Sequence, residues 1–462
     1  MRFPRPGPDD DSPTSTGPCP TRSDVRDRCS RHPAAPDAAD RPDRRAPRRR
    51  SRSRSRSVRA PLLVMLLVLG LISLAGCGRR ADVGGGQGAA SSSNAPESAG
   101  PTQPRGAPGD LLSREIVAPA PAGIRAWRVT YRSRPTGDGG VPVSGIILAP
   151  GTDVPVPAGG RKVVSFGHGT TGIQDSCAPS RARPPLAAAS WTFPLVRAGY
   201  VVTLTDYAGL GAPGEHAIYV AGPEGRAVLD AARAAHALTE TEAGRDVVLW
   251  GYSQGGQAVL AAGALAAGYA PELHVRGVVA TAPLADLPAS LATLQRGADG
   301  VGYLLLAMIG QSVDDPRIDL DRYLTQTGRR LLTVARTRCA DEVTKSSVGS
   351  SIRTAFTVDP LTRPPFAAGF ARQRDEIMRR MAPTLILQGD RDEVIRQPVT
   401  DGVVDRLCGE GTTVDYRRYP LADHGSILGT SMNDLMGWVA QRFAARPPVV
   451  TDICALGAAA RS

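Results

Sequence analysis

The sequence predicts an α/β fold in which a mostly parallel central sheet is flanked by helices. From about Leu111 onwards, short runs of Val, Ile and Leu alternate with alanine-rich stretches in which apolar residues recur at three and four positions. This alternation is typical of βα units. The predicted strands are 126–132, 142–148, 162–166, 200–205, 246–251, 276–281, 383–388 and 413–418, and the clearest predicted helices are 184–198, 224–238, 254–268, 394–407 and 430–444.

One long interval breaks this alternation. Residues 283–381, between two predicted strands, read as several helices without a strand. An insertion of that length exceeds an ordinary connection. We expect it to form a helical cap over the active site. The alternative is a helical subdomain that has no gating role.

The front of the chain differs in composition from the rest. Of 55 Lys and Arg and 44 Asp and Glu, residues 1–76 hold 16 and 8, which leaves 39 and 36 for the remainder. The net charge of +11 therefore belongs mostly to this front. The remainder shows no basic face of the kind that nucleic-acid binding needs. Residues 1–57 cannot bury a core, so we expect a disordered leader or a mis-assigned start, with translation beginning near Val58.

An apolar segment with the layout of a secretion signal follows. Residues 62–76 carry no charge, come after an arginine-rich stretch and end at Cys77. The run is shorter than the roughly 20 residues that span a bilayer. Leu74–Cys77 (LAGC) resembles the bacterial lipoprotein cleavage box, so 58–77 is predicted as a lipoprotein signal peptide whose last residue is lipidated. The alternative is a simple membrane anchor.

A flexible linker and a folded domain are predicted after the signal. Residues 78–110 are rich in Gly, Ser, Pro and Ala, as a tether would be, and 111–462 forms the folded domain. We expect export to the outer face of the cell membrane as a lipoprotein, or secretion. Because an exported chain meets an oxidising compartment, the four cysteines of the domain predict two disulfides, with three pairings open; four unpaired core thiols are the alternative. These cysteines are Cys177, Cys339, Cys408 and Cys454.

The pentapeptide Gly251–Gly255 (GYSQG) matches the pattern G-x-S-x-G. Alone it is weak, but it follows the predicted strand Asp246–Trp250 and opens a predicted helix, as a nucleophile elbow requires. The flanking glycines let helix and strand approach closely. The sequence therefore predicts the α/β-hydrolase fold with Ser253 as the nucleophile.

A serine nucleophile needs a base, and in this fold the acid and then the histidine follow the serine. Two histidines follow Ser253. His274 precedes a strand, at the end of the sheet away from where an active site forms. His424, after the last predicted strand, is therefore the predicted base. The acid should follow a strand between them, which favours Asp392, with Asp390 in reserve.

The oxyanion of an acyl-transfer intermediate needs preorganised donors. One is expected from the backbone N–H of Gln254, the residue after the nucleophile. The other is expected from the loop Gly167–Gly172, as the amide of Thr170 or Thr171. His168 in the same loop is expected to be structural.

No cofactor or metal site is predicted. Gly209–Gly214 matches G-x-G-x-x-G, but Pro213, Gly214 and further loop residues intervene before a helix can begin. In the dinucleotide fingerprint the glycines lead directly into a helix. The chain also has no P-loop, no H-E-x-x-H and no set of residues with the spacing of metal ligands.

Several segments together are far more specific than the pentapeptide. They are Gly169–Gly172, Asp175–Ser180, Asp206–Gly211, Ala227–Ala235 and Leu249–Leu287. They resemble the secretory lipase family, which includes fungal secreted lipases and many actinobacterial members. The resemblance implies an ester hydrolase or acyltransferase that acts on lipids or acyl esters, with a helical cap inserted where 283–381 lies.

The resemblance also implies roles for individual residues. It places the catalytic triad at Ser253, Asp392 and His424. It suggests a disulfide between Cys177 and Cys339, which leaves Cys408 with Cys454. The chain departs from the fungal members at Cys77, which suggests tethering to a membrane and makes soluble or cell-envelope esters more plausible substrates than a bulk oil phase.

The leading hypothesis is a serine ester hydrolase, a lipase or carboxylesterase, that cleaves acyl esters or triacylglycerols through an acyl-enzyme on Ser253. A cutinase-like esterase shares GYSQG, but such enzymes are smaller. A serine aminopeptidase is possible on the same fold. A non-catalytic surface-binding lipoprotein is a further alternative, although all three triad residues are present.

Overall fold

The computed structural model describes residues 106–456, except 138, 296, 298, 299, 447 and 450. The predicted leader, the lipoprotein signal peptide with Cys77, and most of the predicted linker lie outside the described residues. Across the part that is described, no helix combines the length and apolar character needed to span a bilayer.

One sheet of nine strands organises the described chain, in the order β1-β2-β3-β5-β4-β6-β7-β8-β9. Neighbours are antiparallel from β1 to β5 and parallel from β5 to β9. The carboxyl ends of the parallel strands therefore meet at one edge of the sheet. The strands are β1 Leu111–Ile116, β2 Ile124–Ser133, β3 Val141–Pro150, β4 Arg161–Gly167, β5 Val201–Thr205, β6 Ala243–Tyr252, β7 His274–Thr281, β8 Thr384–Gly389 and β9 Val414–Tyr419.

Each of the eight predicted strands is present, with ends that differ by a few residues. β1 is the strand that the sequence did not predict. It is an edge strand, and most of its side chains are exposed, including Arg114 and Glu115. It therefore carries no apolar run from which a buried strand could be recognised.

The helices cover both faces of the sheet and fill the long interval between β7 and β8. They are α1 Phe193–Arg197, α2 Ala221–Ala237, α3 Gln254–Tyr269, α4 Leu287–Leu294, α5 Gly300–Asp314, α6 Gln326–Thr337, α7 Ala340–Ser347, α8 Ile352–Ala355, α9 Phe366–Ile377, α10 Gln397–Gly409, α11 Ile427–Thr430, α12 Met432–Phe443 and α13 Ile453–Leu456. Short 3₁₀ helices lie at Asp175–Cys177, Pro179–Arg181, Ala187–Thr192, Thr239–Thr241 and Leu320–Tyr323.

Three predicted helices differ in detail from the observed ones. The predicted helix 184–198 is a 3₁₀ helix followed by the short α1, because the prolines at its start and at Pro194 cannot donate backbone hydrogen bonds. The predicted helix 430–444 starts at Met432, because Ser431 separates it from the short helix α11. The predicted helix 394–407 starts three residues late, because the first backbone N–H groups are used elsewhere, as described below.

Strand β6 shows how the core is divided. Val247 and Leu249 point into one apolar cluster, with residues of α2, α3 and α10. Val248 and Trp250 point into another, with residues of α1 and α12. A parallel strand that is covered on both faces reads as a continuous apolar run, and this is why β6 was recognisable from the sequence.

The interval 283–381 has an apolar cluster of its own. It contains α4 to α9, and within its described residues there is no strand, only an isolated bridge between Leu324 and Phe356. Its cluster also takes in Tyr219, from the loop before α2, and Ile395, from the loop after β8. The helical insertion therefore packs onto loops at the carboxyl edge of the sheet.

Two disulfides are present. Cys177 pairs with Cys339 and Cys408 pairs with Cys454, which are the pairings that the family resemblance implies. The first joins the 3₁₀ helix after the loop Gly167–Gly172 to the residue before α7. The second joins α10 to α13.

Candidate active site

Ser253 occupies the sharp turn between β6 and α3. Its backbone has φ 55° and ψ −115°, a region that residues other than glycine rarely adopt. The neighbouring glycines make the turn possible. A Cβ added to Gly251 would lie 2.0 Å from the carbonyl oxygen of Gly255, and one added to Gly255 would lie 1.8 Å from that of Gly167. The turn therefore presents the hydroxyl at the carboxyl edge of the sheet, as in a nucleophile elbow.

His424 and Asp392 lie in line with this serine. The Nε2 atom of His424 is 3.0 Å from Oγ of Ser253. The Nδ1 atom of the same ring is 2.7 Å from Oδ2 of Asp392. The three side chains come from the loops after β6, β8 and β9, and form the hydroxyl, imidazole and carboxylate arrangement that nucleophilic catalysis requires.

The carboxylate of Asp392 is held by the backbone that follows it. Its Oδ1 atom accepts hydrogen bonds from the N–H groups of Val394, at 2.9 Å, and Ile395, at 2.7 Å. These bonds leave Oδ2 for the imidazole and delay the start of α10. The reserve candidate, Asp390, instead accepts a hydrogen bond from Nε of Arg418 at 2.9 Å.

The loop that carries His424 is fixed by contacts on both sides of the ring. The hydroxyl of Tyr252 donates to the His424 carbonyl at 2.8 Å, and the two rings pack with centroids 5.0 Å apart. Asp423 accepts hydrogen bonds from the N–H and hydroxyl of Ser426, which lowers the pKa of the Asp423 carboxyl. These contacts hold the loop that presents the imidazole to Ser253.

Two other histidines that the sequence drew attention to lie elsewhere. His274 is exposed at the start of β7, at the opposite edge of the sheet, 3.2 Å from Oδ1 of Asp246. His168 is buried with its ring tilted against Tyr207. Burial lowers the pKa of His168, and its Nδ1 atom lies 2.6 Å from the carbonyl of Gly169.

The predicted oxyanion loop is anchored from two directions. The hydroxyl of Thr170 is 2.8 Å from that of Tyr219. The carbonyl of Thr171 accepts a hydrogen bond from the N–H of Ala340 at 2.9 Å, next to the disulfide-bonded Cys339. One pocket is lined by Thr170, Thr171 and Ser253. Gln254 is the first residue of α3, where backbone N–H groups have no hydrogen-bond partner within the helix.

Comparison with known proteins assigns the chain to a family. A family model described as secretory lipase matches residues 188–451, more than half of the chain. The chain belongs to the secretory lipase family. The chain is 29% identical over 258 residues to Lipase A of Arthroderma benhamiae, with 53% of each protein covered, so it matches about half of that relative. It is 27% identical over 354 residues to the secreted triacylglycerol lipase LIP4 of Malassezia globosa, covering 69% of this chain and 72% of that protein.

Solved structures agree on the fold. The X-ray structure of Candida antarctica lipase A in its closed state aligns with a TM-score of 0.63 at 22% identity, covering 75% of this chain and 84% of that chain. At that identity the likeness concerns the fold alone. The predicted α/β-hydrolase fold is confirmed.

A buried carboxyl group beneath the site was not predicted from the sequence. Oε1 of Glu224 accepts hydrogen bonds from Nε2 of Gln254, at 2.7 Å, and from the N–H of Tyr219, at 2.8 Å. Burial raises the pKa of Glu224 to about 8. His216, whose Nε2 atom lies 3.4 Å from Nε2 of Gln254, has its pKa lowered to about 3 by burial. Glu224 thus links Gln254, the residue after Ser253, to Tyr219, which contacts the predicted oxyanion loop.

Two pockets meet at Ser253. The outer pocket has a volume of about 320 Å³ and is lined by His424 and by the rim residue Trp191, whose side chain is exposed. The inner pocket is lined mostly by apolar side chains of the helical insertion and of the loops next to it. Both pockets share Thr170, Ser253 and Tyr303.

Proposed function

We propose that this protein is a serine ester hydrolase that cleaves carboxylic esters through an acyl-enzyme on Ser253. The observation that carries the proposal is the unbroken chain of contacts from Oγ of Ser253 through the imidazole of His424 to the carboxylate of Asp392. Family membership supports the same class of substrate, an acyl ester or lipid.

Each group has one task in the reaction. As Oγ of Ser253 attacks the ester carbonyl carbon, Nε2 of His424 takes the hydroxyl proton, and Asp392 stabilises the resulting imidazolium. The amides of Gln254 and of Thr170 or Thr171 stabilise the negative carbonyl oxygen. When the carbon–oxygen bond of the ester breaks, His424 returns the proton to the departing alcohol. Water then repeats the sequence on the acyl-enzyme and releases the acid.

The proposal extends to the helical insertion and to location. We propose that 283–381 is a cap, because Tyr303 of α5 and two leucines of α4 line the pockets at Ser253. We also propose export and anchoring through a lipidated Cys77. Two disulfides in the folded domain support export. Palmitate labelling of the expressed protein should be lost in Cys77→Ser, and labelling that persists would refute the anchor.

The nucleophile is tested by substitution and by covalent labelling. Hydrolysis of p-nitrophenyl acetate should fall about 10⁴-fold or more in Ser253→Ala. Ser312→Ala, on α5 and outside both pockets, is the matched control and should keep wild-type turnover. A fluorophosphonate should label the wild type at Ser253 alone, as read by peptide mass spectrometry. Wild-type turnover by Ser253→Ala would overturn the proposal.

A further inference from the structure

Of the two pockets at Ser253, only the outer one is lined by His424, the proposed base. His424 lines the outer pocket, together with Tyr252 and Leu428. It does not line the inner pocket, which extends from Ser253 towards α4 and the loop after β8. The reacting carbon must sit on Oγ of Ser253, so the two halves of an ester have to divide between these spaces.

The proton transfer decides which half goes where. His424 must give its proton to the oxygen of the departing alcohol, which therefore lies beside the imidazole. The alcohol half then occupies the outer pocket, on the side that the imidazole lines. The acyl half points the other way, past Thr170 and into the inner pocket.

The inner pocket is too small for a long chain. Its cavity volume is only about 10 Å³, against about 320 Å³ for the outer pocket. A space of that size holds about one water molecule. It accommodates the methyl or ethyl group of an acetyl or propionyl ester, and no more without movement of its walls.

The walls of the inner pocket are part of a packed core. Leu291 is fully buried, and Leu284, Leu294 and Ile395 are nearly so. These four side chains also belong to the apolar cluster of the helical insertion, together with residues of α5 and α9. Because protein interiors are packed as densely as organic crystals, moving such walls strains the side chains packed behind them. A longer acyl chain would have to displace this core.

We propose that this enzyme is selective for esters of short carboxylic acids, acetyl to propionyl, with bulky apolar alcohols. The inference rests on the proposed function and narrows its substrate class. The outer pocket provides the apolar surface for the alcohol through Phe166, Trp191 and Leu428. Its volume lies at the lower end of the range for small-molecule sites, and the exposed Trp191 lets larger alcohols extend past the rim.

The acyl side is tested with p-nitrophenyl acetate, propionate, butyrate and octanoate, which share one leaving group. For the wild type, kcat/KM should fall about 100-fold from propionate to octanoate, with the loss beginning at butyrate. Background hydrolysis is subtracted with Ser253→Ala. Equal kcat/KM for acetate and octanoate would overturn the short-acyl assignment.

Substitution of a wall residue tests the cause of that selectivity. Leu294→Ala should raise the ratio of octanoate to acetate kcat/KM at least about tenfold. Leu291→Val is a smaller change in the same wall and should raise the ratio less. Leu332→Ala, in α6, is the matched control, because Leu332 is equally buried in the same cluster and does not line the pocket. It should leave the ratio unchanged, and an equal rise in this control would contradict the proposal.

The alcohol side is tested with two acetates of primary alcohols that differ in bulk. Cyclohexylmethyl acetate should have a kcat/KM at least about tenfold above that of ethyl acetate, and Trp191→Ala should reduce this preference. A preference for ethyl acetate would overturn the assignment of the outer pocket. Failure of the proposed function itself would look different: a folded wild type would hydrolyse none of these esters and resist fluorophosphonate labelling.

Discussion

Glu224 is a buried carboxyl group with two hydrogen-bond donors beside it and no cation. Its Oε1 atom accepts from Gln254 and from the N–H of Tyr219. The titratable groups around it include Tyr207, Tyr219 and His216. Burial favours the neutral acid and raises its pKa from the ordinary 4.5 to about 8. At neutral pH the carboxyl group is therefore mostly protonated.

The raised pKa of Glu224 makes stability depend on pH. Between about 4.5 and about 8 the unfolded chain ionises this group while the folded chain keeps it protonated, so the folded chain binds more protons. The contribution of this group to the free energy of unfolding is therefore fully present below pH 4.5 and is lost as the pH rises to about 8. In Glu224→Gln this loss disappears, and the variant should gain on the wild type by at most on the order of 5 kcal/mol between pH 5 and pH 9. Urea unfolding at both pH values measures this.

An exposed glutamate provides the control for that experiment. Glu410 caps the end of α10 and is exposed. Glu410→Gln should shift the unfolding free energy little at either pH. An equal effect of Glu224→Gln at pH 5 and pH 9 would show that the buried carboxyl does not titrate in this interval.

The two aspartates after β8 can be separated by parallel substitutions. Asp392→Asn would leave the geometry nearly intact but remove the charge that orients and stabilises the imidazolium. The kcat for p-nitrophenyl acetate should then fall about 10⁴-fold. Asp390→Asn removes the negative charge that pairs with Arg418 and should keep kcat. The reverse pattern would make Asp390 the acid.

At the scale of elements, the contact between α3 and the loop after β4 depends on glycine. A Cβ on Gly255 would lie 1.8 Å from the carbonyl oxygen of Gly167, and both are backbone-held atoms that cannot move separately. Gly255→Ala should therefore destabilise the fold by about 3 kcal/mol or more, which thermal unfolding measures as a lower Tm. A Tm within a degree or two of the wild type would refute this close approach.

The same helix supplies a matched control. Gly268 also lies on α3, but a Cβ there would meet nothing within 4 Å. Gly268→Ala should raise stability by roughly 0.5–1 kcal/mol, because alanine loses less backbone freedom in a helix. The contrast between the two substitutions separates the effect of close packing from the effect of helix propensity.

At the scale of the whole molecule, the disulfide between Cys177 and Cys339 joins the helical insertion to the 3₁₀ helix Asp175–Cys177. It spans 162 residues, whereas the disulfide between Cys408 and Cys454 spans 46. In the chain-entropy model a longer loop gains more, so the shorter loop should contribute about 4 kcal/mol and the longer loop about 5 kcal/mol. The Cys177→Ser/Cys339→Ser double variant should show the larger fall in Tm.

Activity distinguishes the two bonds further. The N–H of Ala340, next to Cys339, holds the carbonyl of Thr171 in the predicted oxyanion loop. Losing the first disulfide should therefore also lower the kcat for p-nitrophenyl acetate at a temperature where the variant remains folded. The Cys408→Ser/Cys454→Ser variant should keep kcat. Equal kcat in both variants would show that the oxyanion loop does not depend on this bond.

The sequence predicted best those features that a local residue pattern or the order of residues along the chain identifies. The doubly covered strands such as β6 are continuous apolar runs, and the order of Ser253, Asp392 and His424 selected the three side chains that the structure brings together. It was least informative where tertiary contacts decide. The exposed β1 has no apolar signature, and nothing around Glu224 distinguishes a buried carboxyl from a solvated one. The two pockets depend on the packing of the helical insertion, which no local pattern encodes.

The second disulfide also helps to cover an edge strand of the sheet. β9 is the last strand of the sheet, and such strands can recruit a strand from another copy. Here Asp452 accepts a hydrogen bond from the N–H of Val414 in β9, and Sγ of the disulfide-bonded Cys454 lies 3.4 Å from the carbonyl oxygen of Thr412. The segment Asp452–Cys454, which the disulfide holds to α10, therefore covers the start of this edge strand. In a reducing compartment the disulfide between Cys408 and Cys454 would be reduced, and we expect aggregation to proceed by self-association through β9.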